Sequence, residues 1–403
     1  MEETPDLGSN SSKPYLRTRP GLAPSVLLGS PKRGRLPTPL DADGVTLHVK
    51  ARNGLWWVIR ALGLDETDTV LVPSYNCGAE LDALLKGPAT VRFYRVDRSA
   101  RIDVGHLQQA IEPSTRAVVV THYFGFPQPD LEAMVELCRD RDLVLIEDCA
   151  HALYSAHQGR PLGTFGDAGI FSLWKTLPTP DGGAVLANRP LPLQRGAVKP
   201  PLGAALPAVR VSVEGHLLLR HGRAGWAASR ISDRLAALGA GAGRYVSGRE
   251  TGSPLAFDST LNPHVTFDPS TAHWSMSQTS YRIARRSPHA QIADHRRRNY
   301  AFLAEELDSL SGARPLHPRL QNGTCPLSFP LVVEEPESLL RELERSGIGA
   351  ELFWNDFHPA FPADEFPEST YLKTHVVTVP IHQDLDRDQV ARVATAVGRW
   401  SRR

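Results

Sequence analysis

Hydrophobic and polar positions follow two alternating patterns between residues 46 and 190. Short apolar runs rich in β-branched and aromatic residues predict strands, and six occur here: Val70–Val72, Thr90–Tyr94, Ala117–Thr121, Leu143–Glu147, Gly169–Ser172 and Ala184–Ala187. Stretches of helical length lie between several of them: Asn53–Leu62, Asp103–Ile111 and Pro129–Arg141. Strands and helices that take turns along a chain predict an α/β fold, with a mostly parallel central sheet covered by helices. Ligands bind such sheets at the carboxyl ends of the strands.

The segments on either side of this region differ from it in composition. Residues 1–45, rich in Pro, Ser, Gly and Arg, predict an irregular N-terminal arm ahead of a large domain over residues 46–265. Within that domain, residues 190–265 predict an insertion of loops and short helices, with Leu-rich stretches at Gly215–Leu219 and Ala228–Leu238. A helical pattern through Met276–Leu310 predicts a long linking helix within residues 266–312.

The last part of the chain, residues 313–403, predicts a smaller C-terminal α+β domain. Its strands are expected at Pro326–Val333 and Val376–Pro380, and its helices at Pro336–Ser346 and Arg387–Trp400.

Composition narrows the class of protein. Of the 403 residues, 41% are hydrophobic, and 45 basic residues balance 44 acidic ones. This balance argues against a nucleic-acid partner or an anionic membrane surface. No apolar run reaches the roughly 18 residues that a membrane span needs, and the polar, acidic N-terminus lacks the pattern of a secretion signal. The four cysteines lie far apart, without metal-ligand spacing, so we expect a cytoplasmic protein with no metal site.

Two segments carry candidate chemistry. A predicted strand ends in Glu147 and Asp148, and another runs into Lys175, which sits beside the apolar Trp174. Taken alone, the carboxylates fit the cap of a turn equally well, and a single lysine is more often a surface residue with a buried stem. Together they match pyridoxal phosphate, which needs an amine for its aldehyde and an acid for its ring nitrogen.

The phosphate of such a cofactor needs hydroxyl and backbone N–H donors, preferably at the start of a helix. Ser172 offers the hydroxyl, and the predicted helix that starts near Arg52 offers the N–H groups.

The chain resembles the DegT/DnrJ/EryC1/StrS family of fold-type-I pyridoxal-phosphate enzymes. Members are mostly aminotransferases that act on keto-sugars attached to nucleotides. Six segments in the family's order carry the resemblance: Ala51–Leu55, Val72–Cys77, Thr121–Gly125, Glu147–Ala152, Gly166–Gly183 and Val379–Leu385. The resemblance implies a fold-type-I large domain and a smaller C-terminal domain.

The resemblance also implies roles for individual residues. Lys175 would form the Schiff base with the cofactor and move protons, Asp148 would bind the ring nitrogen, and His151 would lie near the ring hydroxyl. His273 falls where the family often has an asparagine that reaches the neighbouring subunit's cofactor, which implies a homodimer with a shared active site. An ordinary, partly buried histidine is an equally good interpretation of His273.

The resemblance gives the phosphate to Ser172 and to the backbone of Ala51 and Arg52, but the chain departs from the family here. Ser172 and Lys175 are three positions apart where the family has more, although one helical turn still puts both on one side. Lys50-Ala51-Arg52 replaces the family's Ser-Gly-Thr, so Arg52 either pairs with phosphate or the hydroxyl contact is lost.

A third departure concerns the face of the cofactor ring. Where the family often stacks an aromatic side chain on the ring, this chain has Cys77. We therefore expect Tyr75 or His122 to cover that face.

The resulting hypothesis is an aminotransferase of amino sugar biosynthesis. An amino acid, glutamate by resemblance, donates the amino group, and a carbonyl compound such as a keto-sugar or natural-product intermediate accepts it. Alternatives are a pyridoxal-phosphate enzyme of other Cα chemistry, such as a dehydratase or lyase, and a non-catalytic ligand-binding member. The arginines at Arg285-Arg286 and Arg296–Arg298 fit an anionic substrate or a solvated helix face.

Overall fold

A computed structural model of the chain describes residues 14–28, 34–193, 196–201, 205–221 and 267–402. Its centre is a seven-stranded sheet in the order β1-β9-β8-β5-β4-β2-β3. These strands are β1 (Val45–His48), β2 (Thr69–Pro73), β3 (Thr90–Tyr94), β4 (Thr115–Thr121), β5 (Val144–Cys149), β8 (Ala168–Ser172) and β9 (Gly183–Ala187), with a separate ribbon of β6 (Ala156–His157) and β7 (Arg160–Pro161). Five neighbouring strands, β3, β2, β4, β5 and β8, run parallel, β9 runs antiparallel to β8, and β1 runs antiparallel to β9. The predicted mostly parallel α/β sheet is confirmed.

Helices cover both faces of this sheet and extend beyond it. They are α1 (Pro24–Leu28), α2 (Ala51–Ala61), α3 (Ala79–Leu85), α4 (Val104–Ala110), α5 (Leu131–Asp140), α6 (Leu173–Thr176), α7 (residues 206–221), α8 (Gln278–Arg286), α9 (His289–Glu306), α10 (Pro336–Arg345), α11 (Pro367–His375) and α12 (Arg387–Ser401). Single 3₁₀ turns occur at Tyr123–Gly125, Pro269–Thr271 and Ala363–Glu365. In the described part of the chain, none of these helices combines the length and the apolar character of a membrane span.

The side chains of the sheet alternate between two cores. Along β4, Ala117 and Val119 belong to the cluster beneath α2, whereas Val118 and Val120 belong to the larger cluster on the opposite face. Strands buried on both faces have nearly continuous apolar sequences, and this explains why the strands could be predicted from their sequences. Each fully buried side chain of this kind contributes about 1.5–3 kcal/mol.

The C-terminal part contains a second sheet. It is antiparallel, in the order β10-β11-β13-β12, built from β10 (Ala313–Pro315), β11 (Phe329–Val333), β12 (Glu351–Leu352) and β13 (Val376–Val379). The predicted strands and helices of this part are present, and α10 and α12 pack together beside the sheet.

The long helical pattern before this sheet forms two helices instead of one. α8 ends at Arg286 and α9 begins at His289, because Pro288 has no N–H for a continuing helix and biases Ser287 to an extended backbone, observed at φ −63° and ψ 140°. Arg296 was predicted to meet an anionic substrate or to lie on a solvated helix face, and neither prediction fits its position. It is 1% exposed and donates to the backbone oxygens of Thr176 and Leu327, so it joins two parts of the fold.

The described part of the N-terminal arm, residues 14–28 and 34–44, holds the short helix α1 and is anchored to the rest of the chain. Leu16 is fully buried, and its backbone exchanges hydrogen bonds with Gly347 and Gly349. The N–H of Gly21 donates to Asp384 at 2.7 Å. Of the two Leu-rich stretches in residues 190–265, Gly215–Leu219 lies within α7, and residues 228–238 lie outside the described residues.

Candidate active site

A cavity of about 340 Å³ opens at the carboxyl ends of β5 and β8. Its walls come from the start of α2, the turn after β2, α6 and the C-terminal sheet. Seven of the predicted site residues line it: Ala51, Arg52, Cys77, Asp148, His151, Ser172 and Lys175. The other two, His122 and His273, do not.

The two neighbouring carboxylates at the end of β5 have different environments, because successive side chains of a strand point to opposite faces. Glu147 is fully buried and accepts backbone N–H groups from Gly163 at 2.9 Å, Phe165 at 2.6 Å and Gly166 at 2.7 Å. Burial alone raises its pKa, but hydrogen bonds from His122, Gly166 and Gly163 outweigh burial, and the pKa is lowered. Glu147 is therefore a structural anchor of the 163–166 turn.

Asp148 faces the cavity. One carboxylate oxygen accepts the N–H of Ala150 at 2.8 Å. Burial, followed by the negative charge of Glu80, raises the pKa of Asp148 to about 6, with Lys175 opposing the rise. A carboxyl group of this kind gains from a nearby cationic N–H, which would favour its charged form.

Lys175 lies on α6, immediately after β8, and its Nζ is 3.0 Å from Nε2 of His151. Burial and the Lys175 charge lower the pKa of His151, so its imidazole is neutral near pH 7. Because the N–H of Phe124 donates to Nδ1 of this ring, the neutral imidazole carries its proton on Nε2. That N–H can donate to the Lys175 amine only when the amine is neutral, because an ammonium group has no lone pair to accept it.

One end of the cavity suits an oxyanion. α2 begins here, and its N-cap residue, Lys50, offers no side-chain cap, so the first N–H groups and the positive end of the helix dipole face the cavity. Nη1 of Arg52 is buried without a hydrogen-bond partner. Lys50 also lines this end, and burial lowers its pKa to about 8. Together with Ser172, these donors fit a phosphate group.

Gly183 fixes the position of this helix start. A Cβ on Gly183 would lie 2.2 Å from the carbonyl carbon of Lys50 and 2.3 Å from the nitrogen of Ala51. Only glycine lets β9 approach the first turn of α2 so closely.

Tyr75 and His122, the residues predicted to cover the ring face, both lie outside the cavity lining. Both ring nitrogens of His122 have buried partners: Nδ1 accepts the N–H of Gln128, and Nε2 donates to Glu147. Tyr75 is fully buried and packs behind Trp354, with ring centroids 5.0 Å apart. Neither residue lines the cavity.

Trp354 lies at the cavity wall in their place. Its ring centroid is 5.1 Å from that of His151 and 6.0 Å from Nζ of Lys175. Sequence reasoning missed Trp354 because no local motif marks it. It also missed Lys50 and Glu80, which line the cavity. The sequence signal that could have identified Glu80 is its position three residues after Cys77. In the structure, the Cys77 thiol donates a hydrogen bond to it.

His273 is exposed and lies outside the cavity of its own chain. Its predicted role at a partner's cofactor stays a prediction.

Comparison with known proteins relates this geometry to one family. The sequence model of the DegT/DnrJ/EryC1/StrS aminotransferase family matches residues 49–196 and 287–398. The GDP-perosamine synthase of Escherichia coli O157:H7 is 39% identical over 154 residues, which are 38% of this chain and 40% of that protein. The chain therefore matches about two fifths of this curated relative.

Solved structures share the fold over nearly the whole chain. The aminotransferase TlmJ from Streptoalloteichus hindustanus superposes with a TM-score of 0.66 at 20% identity, over 96% of this chain and 98% of that one. The pyridoxal-phosphate form of the sugar aminotransferase Spr1654 from Streptococcus pneumoniae, described as putative, superposes with a TM-score of 0.64 at 16% identity, over 96% of this chain and 99% of that one. These similarities agree with the predicted fold-type-I architecture.

Proposed function

The chain belongs to the DegT/DnrJ/EryC1/StrS aminotransferase family, and from this premise we propose that it is a pyridoxal-phosphate-dependent aminotransferase. The amino donor in this proposal is glutamate, and the acceptor is a keto-sugar carried on a nucleotide. The observation that carries the proposal is that Lys175 and Asp148 line one cavity together with Arg52, whose Nη1 is buried without a hydrogen-bond partner.

The residues of the cavity fit the cofactor at three points. Lys175 offers the amine that would hold the aldehyde carbon, and Asp148 offers a carboxylate for the ring nitrogen. Nη1 of Arg52 lacks a partner in a buried position, and a phosphate oxygen would satisfy it with a charge-assisted hydrogen bond. When bound, pyridoxal phosphate supplies an electron sink for the negative charge left on a substrate carbon that loses a proton.

The chain's own residues supply the proton transfer. The Lys175 amine takes up and returns protons at Nζ, and the N–H of His151, 3.0 Å away, orients the amine when it is neutral. Asp148 in its charged form would hold a proton on the ring nitrogen of the cofactor. Asp148 and Lys175 are half-buried in a cavity lined by both sheets, where charge interactions are stronger than in bulk water.

The acceptor class is proposed from the named relatives. GDP-perosamine synthase is named for a sugar joined to a nucleotide, and Spr1654 is titled a sugar aminotransferase. We also propose a homodimer in which the exposed His273 reaches the partner's cofactor. A reducing, cytoplasmic location suits the four unpaired cysteines.

The test is an amino-transfer assay on purified protein with added pyridoxal phosphate. Production of 2-oxoglutarate from glutamate is followed with nucleotide-linked keto-sugars as acceptors. Lys175→Ala should lower the rate by about 10²–10⁴-fold, the contribution of a positioned proton-transfer group. Lys86→Ala is the matched control, because Lys86 pairs with Asp82 outside the cavity, and its rate should stay at the wild-type value.

Two results would overturn the proposal. One is a wild-type protein that stays colourless and gains no absorption band from added pyridoxal phosphate, which would favour a ligand-binding role. The other is a Lys175→Ala variant that keeps the full rate.

A further inference from the structure

Lys373 is a buried lysine that the proposed chemistry does not use. It lies on α11 with 1% of its surface exposed. Its Nζ donates to three backbone oxygens, those of Asn76 at 2.6 Å, Asp356 at 2.9 Å and Trp354 at 3.0 Å. A lysine ammonium group has three protons, so each proton has one acceptor.

Burying this charge is unfavourable unless the contacts compensate for it. Burial lowers the pKa of Lys373 to about 8, and the negative charges of Glu80 and Asp356 oppose that change. The rings of Phe357 and Phe361 lie 5.4 and 5.9 Å from Nζ and add cation–π attraction. The ammonium group therefore acts as an internal cation that gathers three carbonyl groups.

The three carbonyl groups belong to two segments that form the cavity wall. Asn76 immediately precedes Cys77, and both Cys77 and Trp354 line the cavity. Ser369, one helical turn before Lys373 on α11, adds a second link through a 2.7 Å hydrogen bond to Ser74. α11 is thus fastened to the end of β2 at two points, and Lys373 extends the connection to the 354–356 segment.

The backbone of Trp354 needs such a restraint. Its φ is +57°, a left-handed conformation that costs a residue with a Cβ about 1–2 kcal/mol. The hydrogen bond from Lys373 to its carbonyl oxygen stabilises this conformation, which directs the indole ring towards His151, with centroids 5.1 Å apart.

We propose that Lys373 is a positioning residue of the active site, whose ammonium group holds the Trp354 ring at the cavity wall beside Lys175. The kinetic consequence rests on the proposed aminotransferase function. The conformational consequence does not, and it can be measured without cofactor.

The first experiment is chemical rescue of Lys373→Ala. This variant removes the ammonium group and its stem but leaves the three carbonyl oxygens, so a small cation with N–H donors should fill the space. Amino-transfer activity should fall by roughly 10- to 100-fold, the scale of a misplaced active-site group. Ammonium or methylammonium chloride should restore at least half of the lost activity. Tetramethylammonium chloride, which has no N–H donor, should restore none.

The second experiment reports the position of Trp354 in the cofactor-free protein. Acrylamide quenching of tryptophan fluorescence is measured for the wild type and for Trp354→Phe, and their difference isolates the Trp354 signal from the other tryptophans. In Lys373→Ala this signal should become more accessible to acrylamide, and ammonium should reverse the change. Lys86→Ala, which removes an exposed lysine that also donates to a backbone oxygen, should behave as wild type in both experiments.

Each outcome decides the proposal. Loss of activity and exposure of Trp354, both reversed by ammonium, support it. The proposal is overturned if Lys373→Ala loses activity while the quenching of Trp354 is unchanged, or if ammonium does not reverse the loss of activity. It is also overturned if Lys373→Ala keeps full activity. If Lys373→Ala does not fold, refolding in ammonium chloride decides: recovery of a folded protein with wild-type quenching supports the proposal, and no recovery overturns it. If the wild type has no aminotransferase activity, the proposed function fails while the quenching result still tests Lys373.

Discussion

Asp148 provides a test in which stability and function move in opposite directions. Replacing it with asparagine removes the charge and keeps the size of the side chain. Burial and Glu80 raise the pKa of Asp148 to about 6 in the folded, cofactor-free protein, against an ordinary 3.8. The folded state therefore binds this proton more tightly than the unfolded state does, and the stability of the wild type decreases as pH rises from about 4 to 6. Above pH 6 the full cost of the charged carboxylate is present.

The size of that cost follows from the two pKa values. The difference between about 6 and 3.8, at about 1.36 kcal/mol per pKa unit, corresponds to about 3 kcal/mol. Asp148→Asn should therefore stabilise the cofactor-free protein by up to about 3 kcal/mol at pH 7.5 and by about 1 kcal/mol at pH 4.5. The variant should nevertheless lose amino-transfer activity, because an amide is not an anionic partner for a protonated ring nitrogen.

Urea unfolding at the two pH values measures this effect, and the neighbouring residue supplies the control. The pKa of Glu147 is lowered, so its charge contributes stability above about pH 4.5 that is lost as pH falls. Glu147→Gln should destabilise the protein at pH 7.5 by about 1–3 kcal/mol, since an amide cannot accept all of its buried hydrogen bonds. An Asp148→Asn variant that is no more stable than wild type at pH 7.5, or whose gain is independent of pH, would refute the reasoning.

Two further predictions concern the phosphate end of the cavity. Arg52→Met should weaken the affinity for pyridoxal phosphate by about 10-fold or more, because a charge-assisted hydrogen bond is worth about 1.5–3 kcal/mol; absorbance titration measures this, and an unchanged dissociation constant would contradict it. Gly183→Ala should destabilise the cofactor-free protein by about 1–3 kcal/mol, because its methyl group would lie 2.2 Å from the carbonyl carbon of Lys50. Gly398→Ala in α12, where the nearest atom is 3.5 Å away, is the control, and its free energy of unfolding in urea should equal or exceed that of the wild type. A Gly183→Ala variant as stable as the wild type would show that the start of α2 can move freely.

Features encoded by local sequence were the ones that could be predicted. Four of the five parallel strands, β2, β4, β5 and β8, are buried on both faces, so their apolar runs are nearly continuous and identifiable. The proximity of Asp148 and Lys175 could also be predicted. Each lies at or just after the end of an apolar run, and a parallel sheet brings the ends of such strands together. Pro288 was also a local signal, which the prediction of one long helix overlooked.

Features created by tertiary contacts could not be predicted. The period-two pattern of β5 places Glu147 and Asp148 on opposite faces, but it does not say which face holds the cavity. Nothing near His122 announces that both of its ring nitrogens have buried partners. Trp354 reaches the cavity wall, and Lys373 reaches the carbonyl oxygen of Asn76, only after the C-terminal part has packed against the large sheet, so their roles depend on contacts between segments nearly 300 positions apart.

The anchoring of the N-terminal arm has a consequence for biosynthesis. Gly21 leaves the ribosome 363 positions before its partner Asp384. Thr18 and Arg19, which line the cavity, lie just before Gly21, so this hydrogen bond cannot hold them in place until residue 384 has been translated. A nascent chain that stops short of residue 384 lacks this anchor beside the cavity.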